Sequence, residues 1–180
     1  MFKDKYGADT RVLPAGNDVA RLQPLRLNRA SISAMGAGVY FAQEGGRTIR
    51  IALIAVADGD AADYPRAGGD LLAKVQTCGA KTIALHAANL DAKAATEVAY
   101  GATLRNWRID KYRTKLPETS KPTITGLTVV GAPAEAEALW ASYAAIAEGV
   151  ALTKELVSEP ANIIYPESFV ERCQHLKELG

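Results

Sequence analysis

The sequence predicts an α/β fold, a mixed and mainly parallel sheet flanked by helices. Three observations carry this expectation. Short segments rich in β-branched, aromatic and small apolar residues alternate with segments of helical periodicity. Two of those segments, 38–43 and 48–56, sit back to back across Glu44-Gly45-Gly46-Arg47, which makes a β-hairpin and forces an antiparallel pairing into the sheet. The chain has 180 residues, 48% apolar and 23% charged, which suits one globular domain able to bury roughly 70% of its extended surface.

Residues 1–35 mix charges, Pro14, Pro24 and scattered aliphatics without sustained periodicity, apart from a short helix suggested at 18–22. This segment is taken with the domain that follows. After the hairpin, Leu71, Leu72 and Val75 recur at helical spacing beyond Pro65, and Cys78-Gly79 supplies a stop. A short strand is expected at 81–86. Asp91 is a suitable N-cap for a helix whose Ala92, Ala95, Val98, Ala99 and Ala102 form a slim stripe for packing on a sheet, ending near Trp107.

Residues 123–130 read as another strand, and Gly131-Ala132-Pro133 places a proline where a long helix begins. Along that helix Leu139, Tyr143, Ile146, Val150 and Val157 share one face, with Trp140, Ala144, Ala147 and Ala151 beside them. So broad a face predicts burial against more than one neighbour. A further helix is expected over 167–179. The divisions are therefore 1–35, a main unit 36–132, a connecting helix 133–159 and a new unit opening at 160–180.

Twenty-one basic against 20 acidic residues leave a net charge of +1, which gives no global field for polyanions. The charged start has no apolar stretch behind it, so no secretory signal is read there, and no run approaches the length of a membrane span. Two cysteines, Cys78 and Cys173, make no disulfide framework, and a cytoplasmic setting is expected.

Candidate sites are few. Metal binding calls for several well-spaced His, Cys, Asp or Glu. His86 and His175 are the sole histidines, and Cys173-Gln174-His175 reads more simply as a half-buried thiol beside a surface imidazole. Asp58-Gly59-Asp60 with Asp63 follows a strand, where a ligand could sit, and equally suits a solvated loop. Gly36-Ala37-Gly38 lacks the third glycine of a dinucleotide fingerprint and reads as a strand entrance.

Residues 105–115 concentrate positive charge. Arg105, Arg108, Lys111, Arg113 and Lys115 interleave with Trp107 and Tyr112 and are opposed by Asp110 alone. Such a patch can contact phosphates and stack on bases. It can also be a helix end whose aromatics pack inward while the cations stay wet, and the neutral overall charge favours this.

One motif points to a family. Residues 148–162, with Gly149, Glu155, Leu156, Val157, Glu159, Pro160, Ala161 and Asn162, and then Pro166, resemble the interdomain junction of leucyl (cytosol) aminopeptidases. Ser158 stands where the family usually has asparagine, and Ile163-Ile164-Tyr165 is also atypical. Upstream, the small-residue helix running into Trp107-Arg108-Ile109-Asp110-Lys111-Tyr112 is similar to the family's helix and its Asp, Lys-Tyr continuation.

The resemblance implies a macro-domain-like amino-terminal domain joined by the long helix to a catalytic domain that opens at 160–180. In that catalytic domain two divalent cations, Mn or Zn, would activate water to remove amino-terminal residues from peptides. The family hallmark Asn-Thr-Asp-Ala-Glu-Gly-Arg does not occur in the chain. No catalytic or metal-binding residue is therefore assigned here, no cofactor is expected in this chain, and alone it should cleave nothing. The implied partners are the chain's own catalytic domain and further copies in a hexamer, with roles in assembly and access control. Phe169 and Leu176 would then lie exposed where the catalytic domain packs. Two other classes stay open: a macro-like module binding a nucleotide such as ADP-ribose, and local DNA binding through 105–115, as some family members bind DNA.

Overall fold

The computed structural model describes residues 10–12, 38–44, 47–53, 56, 63–88, 90–174 and 176. Among these residues a five-stranded sheet has the order β2-β3-β1-β4-β5, formed by β1 (Thr10–Val12), β2 (Gly38–Glu44), β3 (Arg47–Leu53), β4 (Thr82–His86) and β5 (Gly126–Val130). β2 and β3 pair antiparallel as the expected hairpin, while β1 runs parallel to both β3 and β4, and β4 parallel to β5. The sheet is mixed and mainly parallel, as the sequence predicts.

The early segment holds a surprise. Thr10, Arg11 and Val12 form a central strand, Arg11 standing in register with Ile51 on one side and Ala84 on the other. Three residues are too few to show the period-2 alternation that marks a strand. The helix expected at 18–22, the turn at 45–46 and Asp58-Gly59-Asp60 lie outside the described residues.

Among the described residues four α-helices follow: α1 (Asp63–Val75), α2 (Ala92–Asn106), α3 (Glu135–Ser158) and α4 (Pro166–Cys173). α1 turns Leu71, Leu72 and Val75 onto the core with Ala52, Ile83, Leu85 and Val129. It stops as anticipated, with Gly79 at φ +86, a backbone state that glycine adopts without a Cβ clash. Asp91 caps α2, its carboxylate accepting from the Ala94 N–H at 2.7 Å. Trp107 ends that helix in extended conformation. In β4, Ile83, Ala84 and Leu85 are all buried, so both faces of that strand are covered.

The helices stack in sequence, α1 on α2 and α2 on α3. The α1–α2 crossing is close enough to demand glycine. A Cβ on Gly68 would lie 1.9 Å from the Val98 carbonyl oxygen, and one on Gly101 would lie 1.8 Å from that of Pro65. Ala95, Val98, Ala99 and Ala102 are buried as expected, but their helix packs chiefly on neighbouring helices rather than on the sheet.

α3 packs through one of its two expected rows and leaves much of the other exposed. The stripe that packs on α2 runs through Ala136, Trp140 and Ala147, whose small residues permit close approach. Of the face expected to be buried, Leu139, Ile146 and Val157 are 39%, 54% and 80% exposed. The long helix begins at Glu135 rather than at Pro133, and α4 spans Pro166–Cys173, while 177–179 of the helix expected there lie outside the described residues.

Two glycines give opposite expectations. Gly101→Ala forces backbone apart at the α1–α2 crossing and should destabilise the chain by about 1–3 kcal/mol or more. Gly149 lies inside α3, and a Cβ placed on it would meet nothing within 4 Å, so Gly149→Ala should stabilise by about 0.5–1 kcal/mol. Urea-unfolding midpoints at constant m decide both, and equal midpoints for the two variants would refute the assigned packing.

Candidate functional site: the junction carboxylate and its cradle

The basic aromatic segment and the family junction motif meet in space through Lys111 and Tyr112, which lie 48 and 47 positions before Glu159. The segment begins where α2 ends. Asp110 organises it: Arg108 donates to its carboxylate through Nε at 2.8 Å and a terminal nitrogen at 3.2 Å. Arg113 Nε lies 3.6 Å from the same group, and the Arg113 N–H donates to the Asp110 carbonyl at 2.9 Å. This turn aims the next two residues, Lys111 and Tyr112, at Glu159.

Glu159 caps the end of α3, and its side chain is 0% exposed. A covered carboxylate must be compensated by charge and hydrogen bonds. Lys111 Nζ donates to Oε1 and the Tyr112 hydroxyl to Oε2, while Arg172 from α4 stands 3.5 Å from Oε1. Arg172 also donates to Glu155, one turn earlier on α3, at 3.0 Å. The hydrogen bonds from Lys111 and then from Tyr112 hold the Glu159 carboxyl below its ordinary pKa. The same bond from the other side raises Lys111, and donation to Glu159 raises the Tyr112 phenol.

Higher along the same interface, α3 is tied to α2 by three more polar contacts. Lys154 Nζ donates to the Leu104 carbonyl at 3.1 Å and lies 5.6 Å from the centre of the Trp107 ring. A cation there satisfies a carbonyl in the last turn of α2 and suits the negative end of the helix dipole. The Tyr143 hydroxyl donates to Glu97 at 3.1 Å, with Tyr100 and Tyr143 edge to face at 5.3 Å. Burial, first, and this bond raise the Tyr143 pKa. The fully buried Thr96 hydroxyl lies 3.3 Å from the Ala136 carbonyl. Between these contacts a cleft of about 430 Å³ opens, walled by Trp107 and Trp140 over Ala144, Ala147 and Ala151.

Of the residues singled out from sequence, Lys111, Tyr112 and Glu159 come together, Trp107 receives Lys154, and Arg108 and Arg113 serve Asp110. Arg105 and Lys115 stay on the surface, as do Pro160, Ala161 and Asn162 in the turn before α4. The Ile163 and Ile164 N–H groups donate to the Pro160 carbonyl, which tightens that turn. Lys154 and Arg172 are invisible to sequence reading, because their partners are remote in the chain and leave no local spacing signal. Asp63 opens α1 and accepts from Arg66 at 2.8 Å, His86 ends β4 half-buried, and Cys173 is half-buried as expected. His175 lies outside the described residues. Among the described residues, no three His, Cys, Asp or Glu side chains gather as a metal site, and no helix is long and apolar enough to cross a membrane.

Comparison with known proteins bears on this arrangement. No family model matches the chain. A probable cytosol aminopeptidase of Caulobacter vibrioides is 35% identical over 77% of this chain and 29% of its own length. One from Rhizobium leguminosarum bv. trifolii is 32% identical over 97% of this chain and 36% of its own. Among solved structures, a tomato leucine aminopeptidase variant superposes with a TM-score of 0.72 at 18% identity, covering 97% of this chain and 40% of that one. The bottromycin maturation enzyme BotP, in complex with Mn, gives 0.66 at 22% identity, covering 96% and 36%. These two establish the fold. The chain belongs to the leucyl (cytosol) aminopeptidase family and matches its amino-terminal part. It spans about a third of the length of those relatives.

The pH dependence of the cradle has a definite sign. Because the Glu159 pKa is lowered from 4.5 in the folded state, its contribution is complete above 4.5 and is lost as pH falls through the folded value. Lys111, raised from 10.5, contributes fully below 10.5 and loses its contribution as pH rises through its folded value. Glu159→Gln should therefore lower the melting temperature at neutral pH, and the gap to wild type should close as pH falls below 4.5. A gap unchanged down to the acid limit of folding would count against the assigned ionisation.

Proposed function

We propose that this chain is the non-catalytic amino-terminal domain of a two-metal aminopeptidase that removes amino-terminal residues from peptides in the cytoplasm. The observation that carries the proposal is the identity to cytosol aminopeptidases across most of this chain, against only a third of their length. On this proposal the two divalent ions, Mn or Zn, are held by the remaining part, and this domain supplies none of their ligands. The macro-type kinship of the sheet belongs to the same proposal.

The domain's work is then mechanical. It presents the long helix α3 and the segment after it as a mount for the catalytic half, and it contributes to contacts among copies in a homo-oligomer, a hexamer on family resemblance, that control access to the peptide site. The exposed apolar residues support such a mount: Ile146 and Val157 on α3, then Tyr165, Phe169, Val170 and Leu176, form a surface rich in apolar side chains. Phe169 at 47% and Leu176 at 42% are exposed, in line with what the family resemblance implies.

Residues 1–180 purified alone and mixed with leucine p-nitroanilide and Mn²⁺ should give no turnover. Turnover proportional to protein concentration, abolished by chelation, would overturn the non-catalytic assignment. A coding sequence that continues past Gly180 should yield a longer product that does turn over the anilide. An inactive longer product, with metals supplied, would remove the aminopeptidase assignment.

A further inference from the structure

We propose that Glu159 is the pin of a polar clasp that fixes the direction in which α4, and any chain following it, leaves the α/β domain. The proposal rests on geometry and is independent of whether the whole protein cleaves peptides.

α4 is held in an unusual way. It buries no residue, and its apolar side chains Phe169 and Val170 are 47% and 59% exposed. Apolar burial, the ordinary means of fixing a helix on a domain, therefore does not set its orientation. Its own start is built locally: the Ser168 hydroxyl accepts from the Tyr165 N–H and donates to the Ile163 carbonyl, both at 2.9 Å. These bonds shape the entry to α4 without tying it to the sheet.

The tie runs through charge. Arg172 reaches from α4 to Glu155 and Glu159 at the end of α3. Glu159 is gripped from its other side by Lys111 and Tyr112, which sit on the turn that Asp110 braces at the end of α2. One carboxylate thus joins three segments: the loop after α2, the end of α3 and the face of α4. It also stands immediately before Pro160, at the root of the connecting turn. A constraint at the root of a short lever controls the whole lever. With the clasp closed, the turn at 160–165 has one geometry, and with it open, several turn geometries become accessible to α4 at little cost in buried area.

Distance measurement by double electron–electron resonance tests this directly. Spin-labelled unnatural side chains replace the exposed Lys74 on α1 and Glu167 on α4 in the full chain. The wild-type background should give one narrow distance distribution. Glu159→Gln, and separately the pair Lys111→Met with Tyr112→Phe, should each broaden it about twofold or more while far-ultraviolet circular dichroism is retained. Arg66→Met, which removes an exposed pair on α1, should leave the width unchanged. Distributions as narrow as wild type in both the Glu159 variant and the double variant would overturn the proposal. Should Glu159→Gln fail to fold, the double variant decides alone, since Lys111 and Tyr112 are about half exposed and their loss opens no cavity.

Discussion

A carboxylate removed from water has to be surrounded by donors, and in this protein that requirement at Glu159 governs how the later half of the chain is arranged. Its two oxygens receive an ammonium and a phenol from the loop after α2 and face a guanidinium from α4. The donors come from two separate stretches, Lys111 and Tyr112 from the loop and Arg172 from α4, so the carboxylate acts as the point at which separately built segments must agree. Part of the positive charge concentrated at 105–115 is used here. Asp110 holds Arg108 and Arg113, and the turn so formed delivers Lys111 and Tyr112 to the junction.

The same logic, close approach first and polar ties second, runs through the whole helical stack. α1 and α2 meet at glycines because their backbones touch, and α2 and α3 meet along a row of alanines with Trp140 closing the gap to the core. Helices brought so near need their buried polar groups satisfied across the interface. Thr96 to the Ala136 carbonyl, Tyr143 to Glu97 and Lys154 to the Leu104 carbonyl do this in succession down α3. Glu159 is the last rung. The ladder explains why α3 can be 24 residues long and remain attached although it buries only Ala136 and Ala147 completely.

Much of this architecture is legible in sequence, and the exceptions have definite causes. The hairpin, the Asp91 cap, the Gly79 stop and the order of strands and helices follow from local chemistry, and local chemistry is written in neighbouring residues. The central strand at Thr10–Val12 escapes sequence reading because it is short and gains its place from pairing partners 40 and 73 positions away. On α3 the expected row through Trp140 and Ala147 is the one that packs, while much of the Leu139 row stays exposed, because periodicity identifies faces without saying which one meets a neighbour. Leu139, Ile146 and Val157 stay exposed, whereas Ala136 and Ala147, with Trp140 between them, face the core. At the candidate site, the basic patch and the junction motif are each visible in sequence, but their union is not. An ion pair between residues 48 apart leaves no spacing pattern to find.

Polar fixation of α4 also has a consequence for the surface around it. A helix anchored by burying its apolar side would have committed Tyr165, Phe169 and Val170 to its own domain. Anchored through Arg172 and Glu159, it keeps those side chains outward while its direction is still defined. Orientation and exposure, which usually compete, are thereby obtained together. That combination is what a mounting surface requires, since a partner gains most from apolar area that is already held in place and has least ordering left to do on contact. The exposed stripe of α3 leads toward the same end of the molecule, through Ile146 and Val157 to the turn at Pro160. Shape and direction at the turn before α4 are thereby set by one covered carboxylate and the donors around it.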